Sequence, residues 1–302
     1  MAHDKARNGW LRRIEQLDPI RDHREIYRIS AGFEFPWDYT RSLELALFRT
    51  YCVPSISALL DATGEFRQRP QRRYDDTALL MSELAEHGYD SERGREALRV
   101  INRAHGRYAI SNDDMRYVLS TFIFEPITWI DQFGWRPLSE AERLAGFHYY
   151  RQVGLRMGIK DLPTEMDEFR RFKVAYERDT FTWTETNQRV GTYTLELLCS
   201  WYPAVVRPLV RKAVCGLLDE AMLTAFGFSP PSPWFSRVER RGLRARATVV
   251  RHLPPRRTSA LASQPGNRSY PGYPTGYRPA DLGAPPPPAD LDPKWLAPAP
   301  RN

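Results

Sequence analysis

SERGREALRVINRAHGRYAISNDDMRYVLSTFIFEPITWID, residues 91–131, is the stretch whose reading decides the fold. Ser91 can cap first-turn N–H groups, and Glu92 and Glu96 lie near that positive end, so a helix starts here and runs to about Arg107. Ser111 or Asn112 starts the next, which continues through a Pro126 kink to Asp131. The alternation and hairpin turns that mark strands are nearly absent. Outward from this pair the helical period recurs. Ser42–Leu60 carries Leu43, Leu47, Phe48 and Cys52, and Pro54 kinks or divides it. Tyr74–His87 carries Leu79, Leu80, Met81 and Leu84, and Gly88 closes it. Ser139, three residues before Glu142, makes a capping box opening Ser139–Met157. Thr164 and Asp167 open a helix to about Arg178, and Asn187–Tyr202 and Val205–Phe226 complete the body. The expectation is an all-α single domain of roughly eight to ten helices. No repeat of 20–50 residues is visible, which excludes a solenoid.

Charge divides the 302-residue chain in two. The whole carries 44 Lys and Arg against 37 Asp and Glu, a net +7. Residues 237–302 hold twelve of those bases, four of the acids and thirteen of the 25 prolines, so this segment is +8 and residues 1–236 are −1. So Pro-rich a segment buries little apolar surface, and it is expected to be a disordered basic tail, dispensable to any chemistry of the body. A near-neutral body removes the case for specific nucleic-acid binding that a pI near 9.4 would otherwise make. No apolar run reaches the length of a membrane span or of a secretory signal, so no transmembrane anchor is expected. Cys52, Cys199 and Cys215 form no CxxC and read as small buried residues.

Several site chemistries are excluded by motif. There is no GxGxxG, no GxxxxGK[ST], no GxSxG and no HExxH. Among the six histidines no pair has helical metal-site spacing, and His87 lacks the Glu three residues before it that a di-iron helix needs. His105 stands apart. Leu98, Ile101 and His105 fall at i, i+3 and i+7, on one apolar stripe, so the imidazole is aimed inward. A core histidine bonded to a carbonyl satisfies that pattern, and so does an axial ligand of haem iron, which needs one neutral imidazole. Arg49 interrupts an apolar face. It reads either as a salt bridge with Asp75 or Asp76 or as a cofactor contact. Arg73 and Thr77 lie one helical turn apart, where they either cap the Tyr74 helix or reach a flat cofactor's carboxylate or bound dioxygen. Phe122, Phe124, Trp129 and Phe133 suit a channel, but such a stripe is ordinarily core.

Phe35–Phe66, Gln71–Leu80, Arg95–Leu138 and Arg156–Pro163 resemble the family of latex-clearing rubber oxygenases and MpaB-type oxygenases. The likeness runs from about Asp18 to about Ser232. It is strongest to the bacterial MpaB-like branch and weaker to rubber oxygenase proper. It implies an all-α haem b protein with a globin-like core. His105 matches the family's iron-binding histidine, and Arg73 and Thr77 match its Arg-x-x-x-Thr pair. Asp76 stands where the rubber enzymes carry a lysine, which removes a distal lysine ligand. Glu65 in TGEF is the nearest candidate for their proposed glutamate base.

The function implied is a haem b-dependent oxygenase that uses dioxygen to cleave a carbon–carbon double bond in an isoprenoid or similarly apolar substrate. A haem-binding sensor or carrier, and a helical interaction protein acting through its basic tail, are the alternatives. Fungal MpaB proteins are membrane-anchored. This chain is expected in the cytoplasm, with loose membrane contact to reach a lipid.

Overall fold

The serines that begin helices in the sequence do so in the computed structural model, which describes residues 7–261 and 270–298. Ser91 accepts from Gly94 N, Ser111 from Asp114 N, and Ser139 with Glu142 closes a complete capping box. In chain order the helices are α1 (Gly9–Ile14), α2 (His23–Ile29), α3 (Pro36–Thr50), α4 (Pro54–Thr63), α5 (Glu65–Gln68), α6 (Pro70–His87) and α7 (Glu92–His105). They continue as α8 (Asn112–Phe133), α9 (Glu140–Arg156), α10 (Met166–Thr180), α11 (Glu185–Ser200), α12 (Arg207–Leu217), α13 (Glu220–Phe226) and α14 (Pro233–Arg251). Among the described residues there is no strand, only an isolated bridge between Tyr108 and Leu296. The chain is a single all-α domain.

Pro54 divides rather than kinks the predicted Ser42–Leu60 helix, because the ring cannot donate the hydrogen bond that would continue it. α3 and α4 therefore meet at 96°. The predicted Val205–Phe226 helix is likewise two, since the Asp219 side chain takes Met222 N and starts α13 afresh. α8 is the central element. It packs against α3 along its length and against α9 and α10, and Tyr117, Phe124, Ile127, Trp129 and Phe133 are all buried there. Phe124, Trp129 and Phe133 of the aromatic stripe are thus core, and Phe122 lines a cavity. A second cluster of Phe48, Tyr51, Cys52, Phe66, Val190, Cys199, Cys215 and Phe226 joins α3, α5, α11, α12 and α13. All three cysteines are unpaired and buried, and burial pushes their thiols up, away from the reactive thiolate. No single helix among the described residues is long and apolar enough to cross a membrane.

Two stretches of the C-terminal segment lie among the described residues. α14 runs through the expected boundary at Ser236, with its Arg246 on the buried Asp38 at 3.1 Å. Beyond it, residues 270–297 lie along α6 and α7. Gly272 N donates to Asp75 Oδ2 at 2.8 Å, Tyr273 donates to Asp76, and Tyr277 donates to Glu83 at 2.7 Å. Further on, Ala109 N donates to Trp295 O and Ala297 N to Arg107 O. The physical reason is polar as well as apolar, since Tyr270 and Leu282 join the main core. α6 buries Asp75, Asp76, Glu83 and Glu86, and buried carboxylates require donors. Residues 262–269 and 299–302 of the expected tail lie outside the described residues.

Candidate functional site

α6 places Arg73 and Thr77 on one face, four residues apart, and the guanidinium donates to the threonine hydroxyl. Thr77 Oγ1 also donates to Arg73 O at 3.2 Å. The pair lines a small cavity of about 40 Å³ with Phe48, Tyr51, Phe66 and Leu197. Through Glu44, Leu47, Tyr74 and Thr77 this lobe shares a wall with a larger one of about 350 Å³. The larger cavity is mainly apolar, walled by Leu43, Ala78, Met81, Phe122 and Tyr150 from four helices and by Leu261 and Tyr270 from the C-terminal segment.

His105 ends α7. Its Nδ1 lies 3.0 Å from Ile101 O, and since a carbonyl can only accept, Nδ1 carries the proton. Nε2 is therefore the lone-pair nitrogen, and it makes no hydrogen bond among the described residues. Burial first, and then the charge of Arg73, push the imidazole down to about 4, so it is neutral at ordinary pH. His105 does not line either cavity; Arg73 lines the smaller one and acts on the histidine electrostatically.

Glu65 opens α5 and is paired with Arg69. It shares a neighbourhood with Arg73 through Tyr108. Burial raises that phenol, Arg107 lowers it, and Glu65 and Arg73 act on it in opposite senses. Arg73 and Thr77 are thus in contact, Arg73 acts electrostatically on His105, and Glu65 lines neither cavity. Arg49 is not with them. It holds Glu177 through two bonds of 2.7 Å and Asp219 at 2.5 Å, with Glu125 at 3.5 Å, and Lys173 completes the cluster. The reading of Arg49 as a salt bridge holds, but its partners are Glu177 and Asp219 rather than Asp75 or Asp76. The end of α3 faces α10 and α13, so a cofactor-contact role for Arg49 is withdrawn. Asp76 takes its hydrogen bond from Tyr273.

Two cavity residues escaped the sequence reading. Tyr74 donates to Glu44 across the wall that the two cavities share. The signal was there in both cases: an acid inside the apolar run Leu43–Leu47, and a tyrosine between Arg73 and Thr77.

Residues 44–252 match the catalytic-domain model described as "ER-bound oxygenase mpaB/B'/Rubber oxygenase". The chain belongs to this family. The match spans α6, α7 and all five of the residues singled out, and it reaches the end of α14. Among curated proteins the chain is 30% identical over 256 residues to ER-bound oxygenase mpaB' of Penicillium brevicompactum, covering 78% of this chain and 60% of that one. To ER-bound oxygenase mpaB of the same organism it is 31% identical over 248 residues, covering 78% and 59%. To the mpaB of Penicillium roqueforti (strain FM164) it is 36% identical over 155 residues, covering 48% and 52%. The chain therefore spans rather more than half the length of the curated relatives it matches.

Proposed function

We propose that this member of an oxygenase family is a haem b-dependent oxygenase that cleaves a carbon–carbon double bond in an isoprenoid or similarly apolar substrate, with His105 as the iron ligand. The observation that carries the reading is the state of His105. Its imidazole is neutral, its tautomer is held by Ile101 O, and Nε2 is left as the free donor. That donor chemistry fits haem, because one neutral imidazole with its other nitrogen bonded to a carbonyl is the usual second-shell arrangement of a metal-bound histidine. Arg73 fits too, as the cation for a haem carboxylate or for polarised oxygen.

Haem, when bound, supplies dioxygen binding and the redox chemistry of cleavage. The chain supplies the setting. The Ile101 carbonyl keeps the proton on Nδ1 and increases the basicity of Nε2. Thr77 and Arg73 present a hydroxyl and a guanidinium at the cavity wall, where they orient a small polar group. Leu43, Leu47, Met81 and Phe122 exclude water and accept an apolar chain. Glu44, which lines both cavities, and Glu65, paired with Arg69 on α5, are the carboxylates this group offers for proton transfer. An apolar substrate suits both the cavity and the relatives' setting, since these are named as ER-bound oxygenases.

The test is spectroscopic. Full-length protein purified with haem supplied should show a Soret band that His105→Ala loses and His148→Ala keeps. Oxygen consumption on addition of an isoprenoid then separates an oxygenase from a haem carrier. Failure of the wild-type chain to take up haem would overturn the assignment.

A further inference from the structure

A second cavity, of about 300 Å³, lies between the π-helical turn Ser30–Glu34, the start of α3 and the end of α14. The oxygenase reading makes no use of it. It is lined by Arg7, Arg246 and Arg256, by Glu34 and Asp38, and by Phe33, Trp37, Val250 and Leu253.

The charges are unequal. Glu34 Oε2 is held by Arg136 at 2.7 Å, and Arg136 also holds Glu142 at 2.6 Å. Asp38 Oδ1 accepts from Arg246 at 3.1 Å and from the Trp129 indole at 3.2 Å. Arg246 thus serves Asp38, while Arg136 is shared between Glu34 and Glu142. Arg7 touches Glu34 only at 3.5 Å, and its Nε is buried with no hydrogen-bond partner among the described residues, although Arg7 is only 5% exposed. Arg256 has no carboxylate within ion-pair distance among the described residues, and its charge bears on Arg7. Burial pulls the Arg7 guanidinium down; Glu34 opposes this, and Arg136 and Arg256 add to it. A buried, under-neutralised cation facing open space is a site lacking its anion.

We propose that this cavity binds a phosphomonoester carrying an apolar body. Arg7, Arg136, Arg246 and Arg256 face Glu34, Asp38 and Glu142, so one positive charge is in surplus, and the forks of Arg7 and Arg256 match the oxygens of a phosphate. The walls match the rest of the ligand. Trp37 presents an indole that Arg246 covers from one side at 3.6 Å, and Phe33, Val250 and Leu253 continue the apolar surface.

Phenyl phosphate is the probe, titrated into the full chain by calorimetry with inorganic phosphate and benzyl alcohol as comparators. Phenyl phosphate should bind more tightly than either comparator. Its dissociation constant should rise about tenfold or more in Arg7→Gln and in Arg256→Gln, the scale of one lost charge-assisted contact. Arg256 is exposed, so Arg256→Gln keeps the test sound even where Arg7→Gln folds poorly. Sedimentation with phosphatidic acid vesicles, but not with phosphatidylcholine vesicles, would identify a lipid headgroup as the natural source. Phenyl phosphate binding without vesicle retention would identify a soluble phosphomonoester. No binding to the wild-type chain, or wild-type affinity retained in both variants, would overturn the proposal.

Discussion

Removing the hydroxyls of Tyr273 and Tyr277 tests whether the C-terminal segment is a tail or a part of the fold. Tyr273 donates to Asp76 and Tyr277 to Glu83, and both acids are buried on α6. A hydrogen bond to a charged group contributes about 1.5–3 kcal/mol, and its loss also leaves a buried carboxylate short of a donor. Glu83 keeps two bonds of 2.7 Å to Arg93, so Tyr277→Phe should fall at the low end of that range. No such arginine pair supports Asp76 among the described residues, so Tyr273→Phe should fall at the high end. The two sites lie two helical turns apart and should add, taking about 4–5 kcal/mol from a stability that in most domains is about 5–15 kcal/mol. A chain ending after Leu261 loses both tyrosines and the Gly272 N–H and should be less stable still. Urea unfolding followed by far-UV circular dichroism reads all three, with unchanged slopes for the single variants. If both variants and the shortened chain unfold at the wild-type midpoint, the segment is dispensable and the polar account of its docking is wrong.

The charge cluster on Arg49 and the carboxyl of Glu239 make separate predictions. Arg49→Met leaves Glu177 and Glu125 facing Lys173 alone, and should cost about 3–5 kcal/mol by chemical denaturation. A loss below ~1 kcal/mol would show the cluster to be solvated. Burial pushes Glu239 up to about 7, Arg240 only partly opposing, and its Oε2 has no hydrogen-bond partner among the described residues. A carboxyl raised in the fold favours folding while protonated, so its contribution is full below the ordinary value of 4.5 and is lost as pH rises through 7. Glu239→Gln should therefore be more stable than wild type at about pH 8, with the gap closing toward about pH 5. A gap that does not change with pH would contradict the assignment.

Local signals carried most of the fold. The serine caps at 91, 111 and 139 act within one helical turn, so their chemistry is complete in the sequence, and each occurs in the structure. Pro54 and Asp219 show the limit of that kind of reading. Both mark a break plainly, but the 96° turn at Pro54 is set by packing on distant helices. The inward aim of His105 was legible from its stripe; its tautomer was not, because that depends on which carbonyl the ring meets. Arg49 was legible as a paired charge and not as a partner of Glu177, 128 residues away. Residues 237–302 were read from composition alone. Composition measures how much apolar area a segment can bury, and it does not show the hydrogen bonds that Gly272, Tyr273 and Tyr277 make to buried acids of α6.

The docking of that segment also sets an order of events during synthesis. Asp75 of α6 waits for Gly272, 197 residues later in the chain. At about 5–20 residues per second, some 10–40 s pass between translation of the two. For that interval the helix bearing Arg73 and Thr77 lacks the donors that Gly272 and Tyr273 bring to Asp75 and Asp76, so water takes their place and that face of α6 stays open. Completion of the helix belongs to the last steps of making the chain, and the cavity wall formed by Leu261 and Tyr270 closes after the rest of the body has had time to assemble.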